Sequence, residues 1–461
     1  MMPTTSLVFA GVTHAAVKYH LLPGDGKEAA AILVCSRSPG SRVRLLVRHV
    51  VLVPHEECSV REVDRISWPG KYIEDAIDLA ETEGMTIILL HSHPGGWLGF
   101  SHVDDTSDLA VLPSLFEAFG ERHGSAVMTP DGTVRARLYG RDLRNEPIDL
   151  VIVAGDDLAF WWDDGIVDGE PAKRPEAFTG GMTSELGRLS AGLIGVSGTG
   201  SVVGEAVVRL GFGKVRAVDH DIAEFKNLNR ILNSTTEDAA EGRAKVQMFA
   251  DSVARHRGPG VAEAYPLSIA SREAVEAIGQ CDVLFCCVDT QEARQIADLI
   301  SAAFLIPLFD VGVVIPTRKD GGGVRIADAC VQPGASTLFD RKVYSPEGLR
   351  AEYLRQVNPE AFERERAAGY IRGMLEEAPS VISLNMRAAA AAVNEFIARA
   401  YPFRHEPNRI YARTSFSLAA CEEDYTAEDD FHSESNDMVA RGCLEPLLGL
   451  PLFSAPRRTA A

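Results

Sequence analysis

The chain has 461 residues, 46% of them hydrophobic, and a formal net charge of −19 from 46 Lys and Arg against 65 Asp and Glu. That length is large for one core and sets an expectation of two or three domains, while the acidic balance argues against a nucleic-acid partner, which needs a basic face to release phosphate counterions. No apolar run reaches the roughly 20 residues of a membrane-spanning helix, and residues 1–5 lack the basic segment and apolar core of a secretory signal, so no membrane partner and a cytoplasmic location are expected.

Eight cysteines lie at 35, 58, 281, 286, 287, 330, 421 and 443, with no Cys-x-x-Cys pair. Neither a disulfide framework nor a cysteine zinc site is indicated, and reduced, mostly buried thiols are expected. In chain order, residues 28–34 and 43–54 read as strands, 75–84 has helical composition, and 85–90 is an apolar run of strand length. His91 and His93 follow that run. Alternate strand residues share a face, so both imidazoles point the same way, as two ligands of one metal ion must. Pro94, Gly95 and Gly96 break the strand, and residues 101–105 read as a helix start that brings Asp104 back toward the histidines. Two His and one carboxylate leave a position open on zinc, the pattern of a catalytic site. Residues 126–139 read as a hairpin around residues 130–133.

The spacing is one residue between the histidines, seven from His93 to Ser101 and two from Ser101 to Asp104. It resembles the motif of the JAMM (JAB/MPN) metalloproteases. The resemblance implies His91, His93 and Asp104 as zinc ligands, Ser101 as a donor to the oxyanion, and Glu28, at the head of strand 28–34, as general base. It also implies a JAB/MPN-type α/β domain over residues 1–165.

From 163 to 185 the composition shifts to Gly, Pro, Asp and Glu, and a linker and lead-in segment are expected over 166–185. A second site then begins. A strand-like run at 190–196 leads into Gly195, Gly198 and Gly200 and a helical run at 202–210. Such glycines let backbone approach a phosphate at a helix N-terminus. With Asp219 after the next strand, 215–218, this much fits a dinucleotide dehydrogenase equally well.

Asp221, Asn227 and Arg230, then Lys245, then Asp289 with Arg294 separate the two readings. In this order they resemble the adenylation domain of the ThiF/MoeB and ubiquitin-activating superfamily. That resemblance extends from about Arg174 to the end, and implies a Rossmann-like domain over 186–461. In it Asp219, Asp221, Asn227, Arg230, Lys245 and Asp289 handle ATP, with Mg2+ at Asp289, and Arg230, Lys245 and Asp289 assist the chemistry. It further implies a homodimer in which Arg174 reaches the partner's ATP, with Arg188 as a rival for that role.

Two departures stand out. The paired Cys-x-x-Cys of many relatives is absent, so residues 333–339 are expected to hold together by packing without a structural zinc. The approach to the helix beginning near Pro379, residues 368–378, lacks the thioester cysteine, and Cys330, the nearest alternative nucleophile, sits in an apolar strand that favours an inert thiol. Residues 421–437 are crowded with acids and read as a solvated loop or a docking surface for a basic partner.

Both motifs together imply a bifunctional enzyme of a bacterial ubiquitin-like protein pathway, with Zn2+, ATP and Mg2+ as cofactors. Its partners would be a ubiquitin-like protein, through its C-terminal tail, and a conjugating-enzyme-like protein. Sulfur-carrier processing and activation is the alternative within enzymes, and a silent scaffold for ubiquitin-like tails the alternative outside them.

Overall fold

The computed structural model describes residues 1–315, 324–368, 381–433 and 435–455. They form two compact units. The first holds Pro3–Arg174, Ala302–Leu305 and Asn436–Ala461; the second holds Met1–Met2, Pro175–Ser301 and Ile306–Ser435. The division falls inside the expected linker. Residues from 436 onward, expected in the second domain, group with the first because Ser36 Oγ donates to the Ala440 carbonyl at 2.6 Å and Leu444 packs on its core.

Strands of the first unit are β1 (Thr5–Ala10), β2 (Ala30–Arg37), β3 (Val43–Leu52), β4 (Val60–Arg61), β5 (Ile66–Ser67), β6 (Thr86–Ser92), β7 (Arg122–Met128), β8 (Val134–Gly140), β9 (Asn145–Pro147), β10 (Leu150–Ala154), β11 (Leu158–Trp162), β12 (Ile166–Val167) and β13 (Glu170–Pro171). Nine of them make one mixed sheet in the order β11-β10-β1-β3-β2-β6-β7-β8-β9. The period of two sorts its core. Ala31, Leu33 and Cys35 pack with Leu7, Phe9 and the helix Gly11–Leu21; Ala30, Ile32 and Val34 pack on the opposite face with Tyr72, Ala76, Leu112 and Leu115 of the helices Lys71–Ala80 and His102–Ala118. Helices cover both faces, which is why the central strands read as continuous apolar runs.

Local differences from the sequence reading have local causes. The helix expected at 75–84 is Lys71–Ala80, since its buried residues are Tyr72, Ala76 and Ala80, four apart, and Gly84 takes a left-handed φ of 61° in the turn that follows. The hairpin at 126–139 forms with Met128 opposite Val134. The stretch taken as linker carries the β12–β13 ribbon and the helix Gly180–Leu186.

The second unit contains β14 (Ser190–Ile194), β15 (Lys214–Val218), β16 (Ala262–Tyr265), β17 (Val283–Cys286), β18 (Leu308–Val314), β19 (Arg325–Val331), β20 (Arg413–Ser417) and β21 (Glu422–Thr426). Their order is β16-β15-β14-β17-β18-β19-β20-β21, parallel through β18 and antiparallel beyond. Strand order reverses at β14, between β15 and β17, and in sheets of this kind the ligand crevice lies there, outside the strand C-termini. Phe396, on the helix Ile382–Ala400, meets Phe212, Phe285 and Phe309 with ring centroids 5.4, 6.1 and 5.8 Å away. The cysteine-free approach to this helix lies, from 369 to 380, outside the described residues.

The acidic stretch is no loop at its start. Residues 422–426 are the edge strand β21, in register with β20 from Arg413↔Thr426 to Ser417↔Glu422, and backbone pairing overrides the polar composition. Residues 333–345 are held by polar bonds as well as packing. Arg341, 1% exposed, donates to the carbonyls of Cys330 at 2.5 Å and Ala412 at 2.6 Å, to Ser336 Oγ at 2.9 Å and to Glu428 at 2.7 Å. The buried Asp298 carboxylate accepts from the Leu338 N–H at 3.1 Å and the Tyr344 hydroxyl at 3.0 Å. Arg341→Ala would take the paired charge from Glu428, leaving it the Ser336 N–H, and is expected to destabilise the second unit by about 3–5 kcal/mol, read as a lower urea midpoint; an unchanged midpoint would remove Arg341 from this role.

Candidate functional site

Strand β6 delivers His91 and His93 at its C-terminal end, with Ser92 facing away from them. Ser92 Oγ accepts from the Ala29 N–H at 2.9 Å and so ties the residue after Glu28 to this strand. His91 Nε2 lies 2.9 Å from His93 Nε2 and 3.1 Å from Asp104 Oδ1, and His93 Nε2 lies 3.7 Å from Asp104 Oδ2. Ligand atoms of Glu28, His91 and His93 all lie within 4.8 Å of one another. The three expected ligands and Glu28, four of the five residues named from the motif and its upstream strand, are brought together.

Asp104 is aimed by the helix it starts. Ser101 caps the helix His102–Ala118, accepting from the Asp104 N–H at 3.2 Å, while Asp104 Oδ2 accepts from the Ser101 N–H at 2.6 Å. The Ser101 hydroxyl also bonds the Asp104 carboxylate. His93 Nδ1 lies 2.8 Å from the Trp97 carbonyl, which can only accept. The proton is therefore on Nδ1, and Nε2 presents a lone pair toward His91 and Asp104. Trp97 supplies this through its backbone, invisible to a motif.

The two carboxyl groups differ in surroundings. Burial pushes Glu28 up to about 7, against the opposing charge of His91. Burial would raise Asp104 too, but the hydrogen bond and charge of His91, with the Ser101 bonds, hold it well below the usual carboxylate range. Burial, then the charge of His91, lowers the His93 imidazole below its ordinary value. Two imidazole nitrogens and an ionised carboxylate at these distances are a donor set that fits zinc, with Glu28 left to handle protons.

In the second unit the crevice beside β14 holds the other set. Gly195 has φ 86°, and a side chain at Gly200 would sit 1.8 Å from the Gly195 carbonyl oxygen, so both positions require glycine. The helix Gly198–Leu210 starts here with its free N–H groups at the crevice. Gly198 lies against Asn385 and the Arg230 side chain, and Thr199 Oγ1 donates to Asn385 Oδ1 at 3.2 Å. Asn385 and Thr199 were not among the expected site residues; their signal is tertiary.

Asp219, at the end of β15, accepts from the Val196 N–H at 2.7 Å and the Asp221 N–H at 2.9 Å, and so shapes the glycine turn. Burial raises its carboxyl above the usual range, the two N–H bonds opposing. Lys245 is 5% exposed, and its ammonium lies 2.7 Å from Asp221 Oδ2. Burial would raise Asp221, yet this ammonium holds it low. His220 stands with Asp219 and Asp221 in a second group able to hold a cation. Asn227 is buried and its Oδ1 accepts from the Glu224 N–H at 3.0 Å, fixing the loop. The Arg230 guanidinium donates to the Lys226 carbonyl at 2.9 Å. Asp289 is exposed just past β17, across the crevice mouth from the glycine turn because β17 pairs directly with β14.

Arg174 donates to the Leu158 carbonyl within the first unit. Cys330 is 2% exposed in β19, and its sulfur accepts from Gln332 Nε2 at 2.9 Å, the setting of an inert thiol.

Comparison with known proteins bears on the second unit. The ThiF family matches residues 174–393. Ubiquitin-like modifier-activating enzyme 5 of Caenorhabditis elegans is 29% identical over 150 residues, 29% of this chain and 35% of that protein. Sulfur carrier protein adenylyltransferase of Thermus thermophilus is 32% identical over 114 residues, 24% of this chain and 41% of that protein. The chain thus spans less than half the length of either relative. Among solved structures, E. coli MccB with ATP is 14% identical, with a TM-score of 0.41 over 54% of this chain and 66% of that one. No helix among the described residues is long and apolar enough to cross a membrane. Residues 174–393 are similar to the ThiF family.

Proposed function

We propose that the chain is a bifunctional enzyme of a ubiquitin-like protein pathway: its first unit cleaves at the C-terminus of a ubiquitin-like protein and its second adenylates the carboxylate so exposed. The observation that carries the peptidase half is the convergence of Glu28, His91, His93 and Asp104, with two ring nitrogens 2.9 Å apart. The ThiF-family match and the crevice of Gly195, Asp219, Lys245 and Asp289 support the adenylation half.

Zinc held by His91, His93 and Asp104 supplies, when bound, Lewis acidity toward a carbonyl oxygen and toward water. Glu28, with its carboxyl near neutrality, takes the proton of the attacking water and gives it to the departing amine as the C–N bond breaks. The Ser101 hydroxyl donates to the carbonyl oxygen as negative charge grows there. The product is a tail with a free carboxylate.

In the second unit that carboxylate attacks the α-phosphate of ATP, an acyl–phosphate bond forms and pyrophosphate leaves. Lys245, released from Asp221, and Arg230 meet the charge on the phosphates, while Asp289 fits a ligand for Mg2+. The buried Cys330 fits transfer of the adenylate to a cysteine of a conjugating-enzyme-like partner. Similarity to the Thermus adenylyltransferase favours a second reading, in which the tail belongs to a sulfur carrier.

Glu28→Gln is expected to lower cleavage of a tail-extended ubiquitin-like precursor by at least about 100-fold, with ATP–pyrophosphate exchange on the mature form retained. Lys245→Ala is expected to cut that exchange by about 100-fold or more while cleavage persists. Loss of both activities in either variant would rule out two separable sites. Chelation should remove cleavage, with zinc restoring it in proportion to metal bound.

A further inference from the structure

Beside the zinc-ligand set, the first unit has a groove of about 590 Å³, within the usual range of roughly 300–1,000 Å³ for ligand sites. Leu22, Pro23, Pro94 and Pro130 give it apolar walls, with the exposed ring of Tyr19 at its rim. Two lining residues are chain neighbours of the chemistry: Lys27 precedes Glu28, and Pro94 follows His93. The groove therefore lies next to the site, although the zinc-ligand set and Glu28 do not themselves line it.

Its charge is positive. Lys18 donates to the Asp131 backbone carbonyl at 2.8 Å, which leaves its charge in place, and Lys27 is exposed. Of the carboxylates nearby, Asp25 is paired with Arg61 at 2.5 Å, and Asp131 keeps its charge beside Lys18, so that Lys18, Lys27 and Arg61 stand against these two carboxylates. Glu28 must hand its proton to the departing amine, so the chain carrying that amine lies on Glu28's side of the site. Lys27 continues on from Glu28 into the groove.

Resting on the peptidase reading, we propose that this groove binds the peptide segment that follows the scissile bond, and that it selects an apolar segment bearing an acidic residue. The apolar walls take its side chains, and Lys18 with Lys27 meets its carboxylate.

The test uses the full chain and a fluorescent peptide, Leu-Phe-Glu-Leu-Glu, read by anisotropy. It should bind at least tenfold more tightly than its counterpart with Lys in place of Glu. Ala15→Trp, which fills the groove from an exposed helix position, and Lys27→Glu, a surface charge reversal, should each weaken binding about tenfold. Unchanged thermal midpoints in both variants establish that they fold. Equal binding by wild type and both variants overturns the groove. Cleavage of the same segment behind a Gly-Gly tail separates the two claims. Tight, variant-sensitive binding without zinc-dependent cleavage upholds the groove and overturns the peptidase reading; cleavage indifferent to the following residues and to Ala15→Trp overturns the groove alone.

Discussion

A carboxylate taken out of water must be given hydrogen bonds or positive charge, or else it takes up a proton. In the first unit that constraint sets two acids in one pocket to opposite tasks. Asp104 has the Ser101 N–H at 2.6 Å and His91 at 3.1 Å, and stays ionised as a ligand should. Glu28, 6% exposed, is pushed up to about 7, where a group can both take and give a proton. Acids whose surroundings drive them apart are the signature of assigned acid–base roles.

Asp219 shows the same constraint in the second unit, where two backbone N–H groups satisfy it and thereby bend the glycine turn. Asp221 and Lys245 neutralise one another at 2.7 Å. An incoming polyphosphate would compete with Asp221 for this ammonium. A cation poised on a surface-facing carboxylate costs less to redirect than one sealed into the core.

What was legible in the sequence follows the distance over which each feature is determined. His91, His93, Ser101 and Asp104 lie within one strand–turn–helix unit, so periodicity and capping suffice to place them. Glu28 required a family pattern, because only the pairing of Ala30 with His91 brings it alongside. The Trp97 carbonyl acts from the turn four residues after His93 through its backbone, which no side-chain motif records, and Asn385 acts through packing against a segment far away in sequence. Residues 422–426 looked solvated because they are acidic and exposed, but their backbone pairs with β20, whose register depends on the sheet behind it. The grouping of residues from 436 onward with the first unit was likewise beyond any local signal.

On the proposed reading, two chemistries joined in one chain raise the effective concentration of the second site for the product of the first. The account therefore requires order: the tail is cut, then activated. Intact-mass spectrometry tests this most directly, on a ubiquitin-like protein with a short extension after its tail, incubated with the full chain, zinc and magnesium ATP. The account predicts loss of the extension first and gain of one adenylyl group only on the shortened species. An adenylyl group on the uncut precursor, or adenylation of mature protein with no cleavage of the precursor at any time, would contradict it.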